Sequence, residues 1–299
     1  MSYVYRLAGE NIGLARSEAE SLLRQELDRL KDSERLFRSQ GLPENPERLA
    51  LMHEVSREIC QLEDLEETKF RPEGSFKVSI RSSVTGTEVD EEYIGRVLKT
   101  EKNDVDLESP EETINVYSTG SEAVVSNQVC SPGRGLYRKR SNEKRPFSSP
   151  ISLDPVQART LVNLSGAEPG QKVLDPFCGT GGVLIEAGLC GMAVKGTDVQ
   201  QKMVEGTREN LEAFGILNHD VSCKDISDVE AGEADVIVTD PPYGKSSYTS
   251  GNPLKQFLDL VKDFDGTCVF MYNEPEVGGY RSEFEIYEHS SLTRYVFIE

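Results

Sequence analysis

The chain has 299 residues, of which 37% are apolar and 28% charged, with 25 Gly and 14 Pro. That is chain enough for two domains, with the balance of a globular protein, so collagen-like and wholly disordered chains are excluded. Its 33 basic and 52 acidic residues give a formal net charge of −19, which taken as one number argues against nonspecific binding to nucleic acid.

In chain order, YVYRL (3–7) reads as a strand, and residues 17–30 as an amphipathic helix with Ser17 as N-cap and Glu20 three residues on, a capping box. A second helix is expected over 46–62, with Pro46 in its first turn. FKVSI (76–80) and TINVY (113–117) alternate as half-buried strands do, with a helix near 90–99 between them. A turn at 117–121 then leads into the strand EAVVSNQV. This half is a small α+β unit or pair of units without a repeat.

Residues 131–150, SPGRGLYRKRSNEKRPFSSP, break the pattern and read as a basic linker. Arg134, Arg138, Lys139, Arg140, Lys144 and Arg145 stand against one acid, Glu143, so the window 134–145 is net +5. The charge deficit lies elsewhere: residues 1–150 carry 22 basic and 28 acidic side chains, and residues 151–299 carry 11 and 24. These six cations are the expected phosphate contacts of the chain.

From 151 on, helices and strands alternate. Helices are expected at 154–164, 181–190, 200–214 and 253–263, and strands at 172–175, 193–198, 220–223, 235–240 and 267–272. Two last strands, 284–289 and 293–298, are joined too tightly for a crossover helix and should pair antiparallel. A seven-stranded, mostly parallel sheet covered on both faces follows. The six cysteines form no C-x-x-C pair, and the three histidines make no ligand spacing with them. Reduced thiols in a cytoplasmic protein without a metal are expected. No apolar run approaches the roughly 20 residues of a membrane span. The amino terminus lacks a basic stretch followed by an apolar core, so neither membrane association nor a signal peptide is expected.

Ligands of open parallel sheets bind beyond the carboxyl ends of the strands. Asp175, Asp198 and Asp240 end three strands here, and Asp225 follows a fourth. DPFCGTGG (175–182) is neither a P-loop nor a G-x-G-x-x-G turn. Its glycines allow close backbone approach, and Asp175 favours a cationic ligand over a diphosphate. Asp198 is placed to accept ribose hydroxyls, and Asp225 with Ile226 to hold an adenine. DPPYG (240–244) sets a carboxylate, a stiff carbonyl and an aromatic ring at a strand tip. That set suits an exocyclic amino group on a planar base: Asp240 and the Pro241 carbonyl would take its two N–H bonds, and Tyr243 would stack on the ring.

DPFCGTGG, then GTD, then DPPYG resembles the class I S-adenosylmethionine-dependent amino-methyltransferases. The flank RPFSSPISLDPVQARTLVNLSG, the terminal HSSLTRYVF and the early YRLAGEN resemble the archaeal tRNA guanine-N2 methyltransferases that act on guanosine 10. The resemblance implies a Rossmann-like catalytic domain over 151–299 with an antiparallel last strand. It also implies a ferredoxin-like part over 1–50 and a THUMP RNA-binding domain over 51–130, because FKVSIR and VDLESPEETINVY look like THUMP strands. Asp175, Phe177, Gly179 and Gly181 would line the methionine part of S-adenosyl-L-methionine, Asp198 its ribose, and Asp225 and Ile226 its adenine. Asp240, Pro241, Pro242 and Tyr243 would hold the target guanine. The implied partner is tRNA, with no protein subunit required.

Three other readings compete. DPPY also serves adenine-N6 methyltransferases of DNA or RNA, but zinc or helix signals for major-groove reading are absent. A methyltransferase fold reduced to RNA binding is disfavoured by the intact four acids. A dinucleotide oxidoreductase lacks the third-glycine spacing and a hydride-transfer partner.

Overall fold

The computed structural model describes residues 1–9, 11–81, 89–150, 152–243, 252–290 and 292–299. The chain divides into two compact units: residues 1–47 with 51–132, and residues 133–299, which residues 48–50 join.

The first unit runs β1 (Tyr3–Leu7), α1 (Ile12–Leu23), β2 (Asp28–Arg29), β3 (Leu36–Ser39), β4 (Met52–Gln61), β5 (Phe76–Ile80), α2 (Glu91–Leu98), β6 (Glu112–Ser118) and β7 (Ala123–Cys130). One sheet of order β2-β3-β1-β4-β7-β6-β5 takes in all seven strands, so the boundary expected at residue 50 falls inside a single sheet. Among the described strand pairs of this unit, β5 and β6 run parallel, as the intervening α2 requires, and the others antiparallel. Ile94 and Leu98 of α2 pack on Phe76, Ile114 and Val116 of the sheet.

Two expectations fail in this unit. The first helix starts at Ile12, not at 17, because the Asn11 side chain accepts from Leu14 N and caps it there. Glu20 is turned away from any capping box: it pairs with Arg16 and accepts from Leu27 N. The helix expected over 46–62 is instead a single 3₁₀ turn, Pro46–Arg48, followed by β4. Flanked by β1 and β7, β4 is a central strand, and cross-strand pairing overrides local helix propensity.

The second unit contains α3 (Arg134–Lys139), α4 (Pro155–Leu164), β8 (Lys172–Asp175), α5 (Gly182–Leu189), β9 (Ala193–Asp198), α6 (Gln201–Ala213), β10 (His219–Cys223) and β11 (Val236–Thr239). It continues through α7 (Pro253–Lys262), β12 (Thr267–Tyr272), the short strands β13 (Glu276–Val277) and β14 (Tyr280–Arg281), β15 (Phe284–His289) and β16 (Leu292–Ile298). Proline at the first turn of α4 and of α7 sits behind Asp154 and Asn252, whose side chains cap the helices. The sheet order is β10-β9-β8-β11-β12-β16-β15. β8 to β12 are parallel, and β16 runs antiparallel to both of its neighbours.

From β8 the chain winds outward through β9 to β10, then returns to β11 on the other side of β8. The winding therefore reverses between β8 and β11, and the carboxyl ends of those strands form the switch-point crevice. The two sequence motifs begin at those ends.

Candidate active site

Asp175 closes β8 and is buried, 2% exposed. Its Oδ1 accepts from Thr239 Oγ1 at 2.6 Å and from Phe177 N at 3.1 Å. One carboxylate thus ties the start of the glycine turn to the last residue of β11. Burial pushes its pKa up to about 7 despite those bonds. Phe177 packs edge-on against Phe257, with ring centroids 5.7 Å apart.

The turn itself needs glycine at two positions. Gly179 has φ +53 and Gly181 φ +81, both in the left-handed region. A Cβ on Gly181 would lie 2.9 Å from Thr207 Cγ2. Helix α6 holds the turn from behind: Thr207 Oγ1 donates to Gly179 O at 2.7 Å and Asn210 Nδ2 to Thr180 O at 2.9 Å. Asp198, at the end of β9, accepts from Gly179 N at 3.1 Å and Gln200 N at 2.8 Å. A carboxylate has about four acceptor sites, so Asp198 keeps capacity for a ligand. Burial raises its pKa too.

Asp225 caps the 3₁₀ turn Ile226–Asp228, with Oδ1 accepting from Ser227 N and Oγ. Ile226 is 5% exposed and packs in the core with Leu174, Ile237 and Phe257, leaving little surface for a ring. Glycine turn, Asp198 and Asp225 follow the tips of adjacent strands β8, β9 and β10. This donor and acceptor set is compatible with S-adenosylmethionine: a glycine turn whose backbone a ligand can approach closely, followed by carboxylates at or just beyond the ends of the next two strands.

Asp240 follows β11, with its side chain 18% exposed. Tyr243 Oη donates to its Oδ1 at 2.5 Å, and Arg294 Nη1 donates to its Oδ2 at 2.6 Å and to Tyr243 Oη at 2.5 Å. The Tyr243 ring lies edge-on to Tyr272, at 5.7 Å and 76°. Burial raises the Asp240 pKa, and the Arg294 charge opposes that rise. The Tyr243 hydroxyl, buried beside the Asp240 charge, is held neutral. Pro241 is buried and Pro242 exposed, while Gly244 lies outside the described residues.

The expected open acceptor is therefore engaged in this structure by the Tyr243 hydroxyl and Arg294, and the Arg294 guanidinium lies over the Tyr243 ring, 5.5 Å from its centroid. Thr239, Thr207 and Asn210 are given no role by any sequence motif, and neither is Arg294, although it lies within the terminal stretch HSSLTRYVF. For Arg294 a signal existed: one charge in the otherwise apolar strand LTRYVFI.

The basic segment is not a loose tether. Arg140 binds Glu186 through Nε at 2.7 Å and Nη2 at 3.1 Å, and Arg159 binds the same carboxylate at 2.8 Å. Glu186 is fully buried. Arg145 is 5% exposed and donates from Nε to Arg140 O. Arg140 is thus structural, because its planar guanidinium fork matches a buried carboxylate, whereas Arg145 is held by burial and by the Arg140 carbonyl. Arg138, Lys139 and Lys144 are exposed, and the Arg134 side chain lies outside the described set.

Among the described residues, no cluster of His, Cys, Asp and Glu could hold a metal ion, and no helix is long and apolar enough to cross a membrane.

Residues 142–264 match the family model described as UPF0020, RMKL-like, methyltransferase domain. The chain is 39% identical over 229 residues to the tRNA (guanine(10)-N2)-dimethyltransferase of Methanothermobacter thermautotrophicus, covering 71% of this chain and 68% of that protein. It is 34% identical over 230 residues to the enzyme of the same name from Pyrococcus abyssi, covering 70% and 68%. Among solved structures, that of TrmN from Thermus thermophilus superposes with a TM-score of 0.55 at 22% identity, covering 100% of this chain and 99% of that one.

Proposed function

Because the chain belongs to the family of archaeal tRNA (guanine(10)-N2)-dimethyltransferases, we propose that it methylates the exocyclic N2 of guanosine 10 in tRNA, with S-adenosylmethionine as cofactor. The observation that carries this reading is the Thr239–Asp175 hydrogen bond. It joins the glycine turn at the end of β8 to the residue before Asp240, so cofactor site and acceptor motif share one crevice.

Asp175, Phe177, Gly179 and Gly181 would hold the methionyl part of the cofactor, Asp198 the ribose, and Asp225 the adenine. Bound there, S-adenosylmethionine supplies a methyl group made electrophilic by the sulfonium charge. The remaining work belongs to the chain. The N2 lone pair of guanine is delocalised into the ring and is a poor nucleophile. Asp240 and the Pro241 carbonyl accept its two N–H bonds and aim that lone pair, which is catalysis by positioning and electrostatics. For this the Tyr243 hydroxyl must leave Asp240 Oδ1, and the freed ring can stack on the base. The same carboxylate is placed to take the released proton.

A guanine in a tRNA stem must be flipped out at a cost of a few kcal/mol. We assign the offsetting grip to the first unit, read as a THUMP-type RNA-binding unit, and to exposed Arg138, Lys139 and Lys144. Transfer of labelled methyl groups to transcribed tRNA, followed by nucleoside mass analysis, tests the reading. N2-methylated guanosine, singly or doubly substituted, is the expected product; N6-methyladenosine, or no product, would contradict it.

A further inference from the structure

We propose that Arg294 is a positioning residue for methyl transfer: it holds the Asp240 carboxylate in its ionised, acceptor-only form and fixes its plane. The proposal rests on the functional reading above, and it is carried by a continuous relay of side chains. Arg294 stands on β16, between β12 and β15, and is 9% exposed. Its Nη1 reaches Asp240 Oδ2 at 2.6 Å, and its Nε lies 3.5 Å from Glu288 Oε1 on β15. Gln157 of α4 donates to the same Glu288 oxygen. The guanidinium is thus steadied by Glu288, itself held by Gln157, while it serves Asp240 in front.

The chemistry requires such a partner. An ionised carboxylate offers acceptors alone, whereas a protonated one points an O–H at the N–H group it should receive. The groups around Asp240 divide sharply. Burial disfavours its charge, and so does the acid Glu288 from β15. The Tyr243 hydroxyl donates to it but carries no charge. Among the described residues whose contacts with Asp240 are resolved, Arg294 supplies the positive charge. Tyr243 must leave when a base enters, whereas Arg294 occupies the other carboxylate oxygen and can stay.

The test is the pH dependence of single-turnover methyl transfer to tRNA by the full chain, comparing the parent with Arg294→Met and Arg294→Lys. S-adenosylmethionine affinity is measured calorimetrically on each protein. Below neutral pH, Arg294→Met should be about tenfold or more slower than the parent. Its acid limb should move to higher pH, with most of the rate regained on the alkaline side. Its cofactor affinity should be unchanged. Arg294→Lys keeps the charge but not the fork, so its limb should stay near the parent's while the maximal rate falls. A limb that does not move in Arg294→Met, with the rate lost equally at every pH, would overturn the proposal. So would an Arg294→Lys limb displaced as far as that of the methionine variant. If the parent itself made no N2-methylguanosine, the functional reading would fail instead.

Discussion

The buried carboxylates decide the chemistry at the level of single residues. Asp175 is more basic than an unfolded aspartate, near 7 against an ordinary 3.8. A raised native pKa means that the folded chain binds the proton more tightly than the unfolded one between those values. The cofactor-free protein should therefore lose stability as pH rises through about 4 to 7. Asp175→Asn keeps an acceptor for Thr239 and Phe177 and should flatten that slope, as read from denaturant midpoints at pH 5 and pH 8. Asp175 and Asp240 were legible in the sequence because strand-tip acids beside glycine and proline turns have few other uses. The pairing of Arg294 with Asp240 was not, because the two lie 54 residues apart and the antiparallel return of β16 brings them together.

Elements explain which expectations survived. The strands and helices of the second unit carry long apolar runs, capping residues and prolines at helix starts, so local signals agree with the tertiary outcome. β4 lacks that agreement: Glu54 and Ser56 are buried in it, and a strand with polar inward positions resembles a helix face in sequence. The buried Glu54 is balanced by Arg6 at 3.0 Å, a pairing across strands that no local pattern announces. The glycine turn gives a sharp prediction at this level. Gly181→Ala must hold a positive φ at a cost of roughly 1–2 kcal/mol and must also push Thr207 aside. Weakened S-adenosylmethionine binding and a lowered melting temperature should appear together. The basic segment divides into two classes that charge counting could not separate, because Glu186 lies 46 residues from Arg140. Arg140→Ala strands part of a buried carboxylate and should destabilise the second unit by about 1–3 kcal/mol, measured by thermal unfolding. Reversing Arg138, Lys139 and Lys144 together should leave stability unchanged and weaken tRNA binding. The log–log salt slope should fall by about 0.7–0.9 for each phosphate no longer neutralised.

For the whole molecule, a net charge of −19 ceases to be an obstacle once its distribution is known. Of the 24 acids after residue 150, Asp175, Asp198, Asp225 and Asp240 stand at or just beyond the carboxyl ends of β8, β9, β10 and β11, where we propose that they serve a cationic cofactor and an amino group. Glu186 is consumed inside the unit by two arginines. Burial of Arg140 and Arg145 takes two of the six cations out of the expected phosphate-binding role; Arg138, Lys139 and Lys144 are exposed, and the Arg134 side chain lies outside the described residues. On the proposed function, more of the grip on tRNA would then fall to the first unit than the charge count alone suggests. The central claim is that Asp240 holds the target amine without holding the cofactor. Single-turnover transfer to tRNA by Asp240→Asn, with S-adenosylmethionine affinity measured on the same preparation, tests it most directly. The account predicts a loss of about 10²–10³ in rate with cofactor affinity preserved; parent-like transfer, or loss of cofactor binding with it, would contradict the assignment.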